Sequence, residues 1–167
     1  VFFRSLATRG ASGEIPPQLG DMVAACRCAG FDLVIVETPG IGQGDAAIVA
    51  EVDTALYVMT PEFGAASQLE KIEMLDYADV VAINKSDRKG SQDALRDVRK
   101  QMQRNREAFS RPVDEMPVFT TMASRFNDSG VTELYQRLRM SLQQQGLATG
   151  PDLLTEARPL LSSHAAI

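Results

Sequence analysis

Asn84-Lys85-Ser86-Asp87 closes the apolar run over 78–83, and its chemistry is that of a loop that reads guanine. An Asp carboxylate placed there accepts two hydrogen bonds at once, from the N1 and exocyclic N2 donors of guanine, an arrangement adenine does not offer. Charge-assisted bonds of this kind contribute roughly 1.5–3 kcal/mol each. A buried carboxylate left unpaired by the wrong base adds a further penalty. Taken alone, the tetrapeptide is equally a strand end followed by a polar turn.

Two other loops carry complementary residue types. In Glu37-Thr38-Pro39-Gly40, an acid follows an apolar run and a glycine stands three residues later. That spacing suits an acid acting on magnesium through a water, while the Gly40 backbone N–H approaches a terminal phosphate with no Cβ in the way. A Gly-rich strand-to-helix turn is the structural alternative. Ser124 and Arg125, in Ala123-Ser124-Arg125-Phe126-Asn127, can offer backbone N–H groups to the guanine O6 acceptor, and a plain turn would have the same composition.

These loops make sense only if the intervening elements bring them to one edge. Apolar periodicity predicts short strands over 1–5, 31–36, 54–59, 79–83 and 117–121. Helices are expected over 19–29, 45–52, 65–77, 91–109 and 131–144, with a loop over 7–18. The continuous apolar run over 31–36 has the pattern of a parallel strand covered on both faces. Repeated strand–helix–strand units demand parallel pairing and right-handed crossovers. The expected fold is therefore an α/β, mostly parallel open sheet with helices on both faces, whose ligands sit beyond the carboxyl ends of the strands.

Composition narrows the class. The chain has 167 residues, enough for one core of ordinary size, and a formal charge of −5 that argues against a general nucleic-acid partner. No stretch of about 18 apolar residues is present, so no transmembrane helix is expected. Cys26 and Cys28, on different faces of an expected helix, read as buried thiols in a reducing cytoplasm rather than as ligands or a disulfide.

Order and spacing tie the loops together: acid-x-x-Gly, then Asn-Lys-x-Asp about 45 residues on, then a Ser-led loop about 40 residues further. This resembles the third, fourth and fifth motifs of P-loop GTPases over 1–147. Glu37-Thr38-Pro39-Gly40-Ile41-Gly42-Gln43 is similar to the second switch segment of the MeaB/ArgK group of GTPase chaperones. The longer runs 29–48 and 57–72 are more similar still to the G-domain version built into fused isobutyryl-CoA mutases. The resemblance implies GTP/GDP and Mg as ligands, and an adenosylcobalamin-dependent acyl-CoA mutase as partner, in the same chain or a separate one. Adenosylcobalamin would be involved only through that mutase. By the resemblance, Asn84 braces its loop, Lys85 lies against the base or ribose, Asp87 selects guanine, and Ser124 and Arg125 complete the base pocket. Glu37 acts on magnesium through water, Gly40 contacts the γ-phosphate, and 61–71 is a third switch with Gln68 and Lys71 at its polar positions.

The departures are as informative. No G-x-x-x-x-G-K-[ST] occurs, so the loop that cradles the α- and β-phosphates is expected to precede residue 1. Residues 148–167 then read as the start of a linker to a downstream domain. The chain alone is expected to bind GTP weakly and hydrolyse it negligibly. Ile41 stands where Ras-like enzymes place a water-orienting Gln, leaving Gln43 as the candidate, with helix capping as its other reading. Two other classes stay open: a GTP-dependent metal-insertion chaperone of the hydrogenase or urease maturation kind, and a nucleotide-silent scaffold. The basic residues over 96–106 are interleaved with acids and read as a solvated helix face.

Overall fold

The computed structural model describes residues 1–6, 15–38, 46–64 and 66–151. Their centre is a three-stranded parallel sheet, β1 (Leu56–Met59), β2 (Val80–Ile83) and β3 (Val118–Thr120), in the order β1-β2-β3. Register pairs Met59 with Ile83 and Ile83 with Thr120, so residues in register share a face. β2 is buried along its whole length, as the central strand of a sheet covered on both sides must be.

One face is closed by α4 (Ser91–Asn105). Ala94, Val98 and Met102 recur at four-residue spacing and form the stripe that packs, with Leu75, onto Val81, Ile83 and Val118. Fully burying side chains of this size stabilises by roughly 1.5–3 kcal/mol each. On the polar side of α4, Arg96 is exposed and pairs with Asp93 at 3.2 Å and Asp97 at 3.1 Å, whereas Arg99 is half-buried and donates to Val118 O at 3.2 Å and Arg106 donates to Ala78 O, so the basic face is only partly solvated. The helix stops at Asn105, short of the expected 109. Glu107 takes a left-handed φ of +52°, and Ala108 N–H donates to Gln103 O at 3.0 Å, the closing bond of a Schellman end normally built on glycine.

α5 (Ser129–Gln144) runs back across the other face. Its first turn sits at the end of β3, and its last turn is tied to the start of β1, where Gln145 donates to Asp53 O at 2.6 Å and Thr54 Oγ1 donates to Gln145 Oε1 at 3.1 Å. The remaining described elements flank this sandwich. α1 (Leu19–Cys28) buries Leu19, and short helical turns at Ala47–Glu51, Pro61–Phe63 and Val113–Glu115 carry the connections.

Three expectations are corrected. Residues 1–5 and 31–36 form no strand: neither pairs with a strand among the described residues, residue 32 lies in a bend, and Phe31 N–H donates instead to Cys26 O at the end of α1, at 3.2 Å. Phe31, Leu33 and Ile35 are exposed while Val34 and Val36 are half-buried, so apolar alternation survives without the ladder that would make it a strand. The helix expected over 65–77 is two, α2 (Ala66–Leu69) and α3 (Met74–Tyr77), joined by tight turns such as Ile72 N–H to Leu69 O at 3.1 Å. Cys28 is exposed and Cys26 only half-buried, because α1 turns just one edge toward the core.

Candidate functional site

The parallel ladder continues beyond the strands and builds the site. Past the end of β1, Met59 O accepts from Asn84 N–H at 2.8 Å; past β2, Ile83 O accepts from Thr121 N–H at 2.9 Å, and Thr121 O accepts from Ser86 N–H at 3.1 Å. The loops after β2 and β3 are thereby sewn together. Lys85 lies between two such anchored amides, and its φ of +58° is the left-handed turn needed to satisfy both. A non-glycine residue adopts that conformation at a cost of about 1–2 kcal/mol. The ladder bonds on either side hold it.

Asn84 joins the two loops. Its Oδ1 accepts from Thr121 Oγ1 at 3.3 Å and from Ala123 N–H at 3.1 Å, clasping the second loop to the first. Lys85 and Asp87 stand exposed beyond the clasp. Within the second loop Arg125 N–H donates to Met122 O at 2.8 Å and is used internally, whereas Ser124 N–H carries no hydrogen bond among the described residues. The fold thus brings together Asn84, Lys85, Asp87, Ser124 and Arg125. Thr121 and Asp128 were missed in the sequence. Asp128 is the N-cap of α5, accepting from Val131 N–H at 2.9 Å, and Asp-Ser-Gly ahead of a helical run was a signal for it.

Glu37, which follows Val36, is exposed. Its carboxylate suits a water-mediated role beside a magnesium held mainly by phosphates, since that ion keeps several waters and needs few protein ligands. Gly40 and Gln43 lie outside the described residues. Gln68 and Lys71 are exposed. A further connection runs from the Pro61–Phe63 turn to the base loop: Glu62 forms an ion pair with Arg88, the residue after Asp87. The Thr60 side chain and then Arg88 hydrogen-bond the Glu62 carboxyl and lower its pKa to about 2.

A parallel α/β sheet whose polar loops collect at the carboxyl edge, with an Asn-Lys-x-Asp loop clasped to its neighbour, defines a P-loop GTPase-like fold. The chain belongs to the family described as methylmalonyl Co-A mutase-associated GTPase MeaB, whose model matches residues 1–152. It is 63% identical over 163 residues to a fused isobutyryl-CoA mutase of Cupriavidus metallidurans, covering 98% of this chain and 15% of that protein. A fused isobutyryl-CoA mutase of Nocardia farcinica is 60% identical over 166 residues, covering 99% of this chain and 15% of its own length. One from Geobacillus kaustophilus is 56% identical over 138 residues, covering 83% and 13%. The chain therefore spans about one seventh of these relatives. No helix among the described residues is long and apolar enough to cross a membrane.

Proposed function

We propose that this chain is the base-reading portion of a guanine-nucleotide-dependent chaperone domain serving an adenosylcobalamin-dependent acyl-CoA mutase. The observation that carries the reading is the clasp of Asn84 Oδ1 on Thr121 and Ala123. It fixes, before any ligand arrives, the two loops that would hold adjacent groups along one edge of a guanine. Asp87 accepts from N1–H and N2–H, the Ser124 N–H donates to O6, and the Lys85 stem lies along the base or ribose. Arg125 contributes its side chain, since its own N–H is already engaged.

The phosphate-binding half is supplied by residues outside this chain. Supporting this are the exposed apolar side chains of Phe2, Phe3, Phe31, Leu33 and Ile35, which a completed domain would cover at about 25 cal/mol per Å². Residues 1–147 are then the carboxyl-terminal portion of the GTPase domain and 148–167 the start of a linker. Similarity to fused mutases supports a mutase in the same chain as partner, with GTP hydrolysis slow until that partner orders the switch segments. Glu37 would act beside the nucleotide-borne magnesium, Gly40 would meet the γ-phosphate, and Gln43 would orient water.

The test is GTP turnover by the full-length protein with and without its mutase activity engaged, comparing wild type with Gln43→Ala. Turnover lowered at least tenfold by the substitution supports the assignment. Unchanged turnover removes Gln43 from catalysis, and equal use of ATP and GTP by the wild type removes the nucleotide reading altogether.

A further inference from the structure

Asp128 does more than the capping of α5 requires. It is 2% exposed, and its Oδ2 accepts two backbone bonds: from Val131 N–H at 2.9 Å, the capping bond, and from Met122 N–H at 3.1 Å, six residues back at the start of the loop. Oδ1 is buried without a hydrogen-bond partner among the described residues. A serine or threonine would cap the helix equally well without desolvating an idle carboxylate oxygen. What the longer side chain adds is the bond to Met122.

That bond falls in a telling place. Thr121 and Ala123 are held by Asn84, and Met122 between them is held by Asp128, so three successive residues are fixed from two directions. The next residue, Ser124, is the one whose N–H is free to donate. Gly130 lets the cap reach this position: a Cβ there would lie 1.8 Å from Thr120 O.

We propose that Asp128 is a positioning residue for base recognition, presetting the loop over 121–125 so that its free N–H meets the O6 acceptor of a purine nucleotide. The proposal rests on the base-site reading above. Without the Met122 bond the loop must be ordered when nucleotide binds, and the cost appears as lost affinity for nucleotides that carry O6. Adenine nucleotides, which present an amino group at that position, gain nothing from the loop and lose nothing with it.

The experiment uses the full-length protein and measures binding of GDP, IDP and ADP to wild type, Asp128→Ser, Asp128→Asn and Asp87→Ala. Serine keeps the helix cap but is too short for Met122; asparagine keeps an oxygen able to take both bonds. Asp128→Ser is expected to weaken GDP and IDP alike by about tenfold, leave ADP unchanged, and be largely rescued in Asp128→Asn. Amide exchange at Met122 should accelerate in the serine variant while Val131 stays protected. GDP and IDP affinity at the wild-type level in Asp128→Ser overturns the proposal, as does a parallel fall for all three nucleotides. Asp87→Ala separates the two claims: it should weaken GDP more than IDP, and GDP binding indifferent to Asp87 sinks the base-site reading itself.

Discussion

Gly130→Ala reverses the usual effect of its type. Replacing a helix glycine by alanine ordinarily stabilises by about 0.5–1 kcal/mol, because the unfolded chain loses freedom. Here the new Cβ would sit 1.8 Å from Thr120 O and 3.0 Å from Thr120 C, both backbone atoms of β3. No rotamer relieves contact with a strand carbonyl, so the first turn of α5 must lift away from the sheet. Forced overpacking of this kind costs typically 1–3 kcal/mol, occasionally more. Set against the propensity gain, the net is a local destabilisation of about 1–2 kcal/mol. The shift also stretches the Asp128 bonds to Val131 and Met122, since the same Cβ would lie 3.2 Å from Asp128 Oδ2. Hydrogen exchange read residue by residue in the full-length protein isolates the effect, because local opening energies are measured without unfolding the rest. Amides of β3 and the first two turns of α5 should exchange roughly tenfold faster, while those of α4 keep their protection. Slower exchange in α5, or a rise in thermal stability, would refute the packing argument.

Met102→Ala removes a fully buried side chain from the α4 stripe and should cost about 2–5 kcal/mol, seen as faster exchange across α4 and β2; a loss under 1 kcal/mol would mean that the core repacks there. The Glu62 carboxyl should titrate in the folded protein near the value of about 2 that Thr60 and Arg88 impose, followed by carboxyl carbon shifts; a midpoint at the ordinary 4.5 would deny both contacts. Because that folded pKa lies below the unfolded one, the stabilisation Glu62 gives is complete above about 4.5 and disappears as pH falls toward 2. Any stability gap between wild type and Glu62→Gln should close across that window, and a gap that widens on acidification would contradict the sign.

The sheet was legible in the sequence because β1, β2 and β3 are short apolar runs bounded by polar loops, and the parallel order followed from the helices between them. The run over 31–36 was equally apolar, yet a strand is a pairing, and periodicity does not reveal whether a neighbour is present. The ends of α4 and the break between α2 and α3 were hidden for a local reason: Glu107 supplies a left-handed end that glycine normally announces, and tight turns keep apolar residues in helical register across 70–73. At the site, Asn84 was readable because its motif names it. Thr121 and Asp128 act through contacts 37 residues and six residues away, to Asn84 and Met122, which only the fold brings into view.

If Asp87 reads the guanine base, Asp87→Asn must change which base is bound. The substitution puts an amide donor where the carboxylate accepted from N2–H, so it should disfavour guanine and favour xanthine, whose C2 carries an oxo acceptor. Competition between GDP and XDP on the full-length protein is the measurement. Guanine preference is expected in the wild type and xanthine preference in Asp87→Asn, a swing of at least a hundredfold, or about 2.7 kcal/mol. Retention of guanine preference by Asp87→Asn would contradict it.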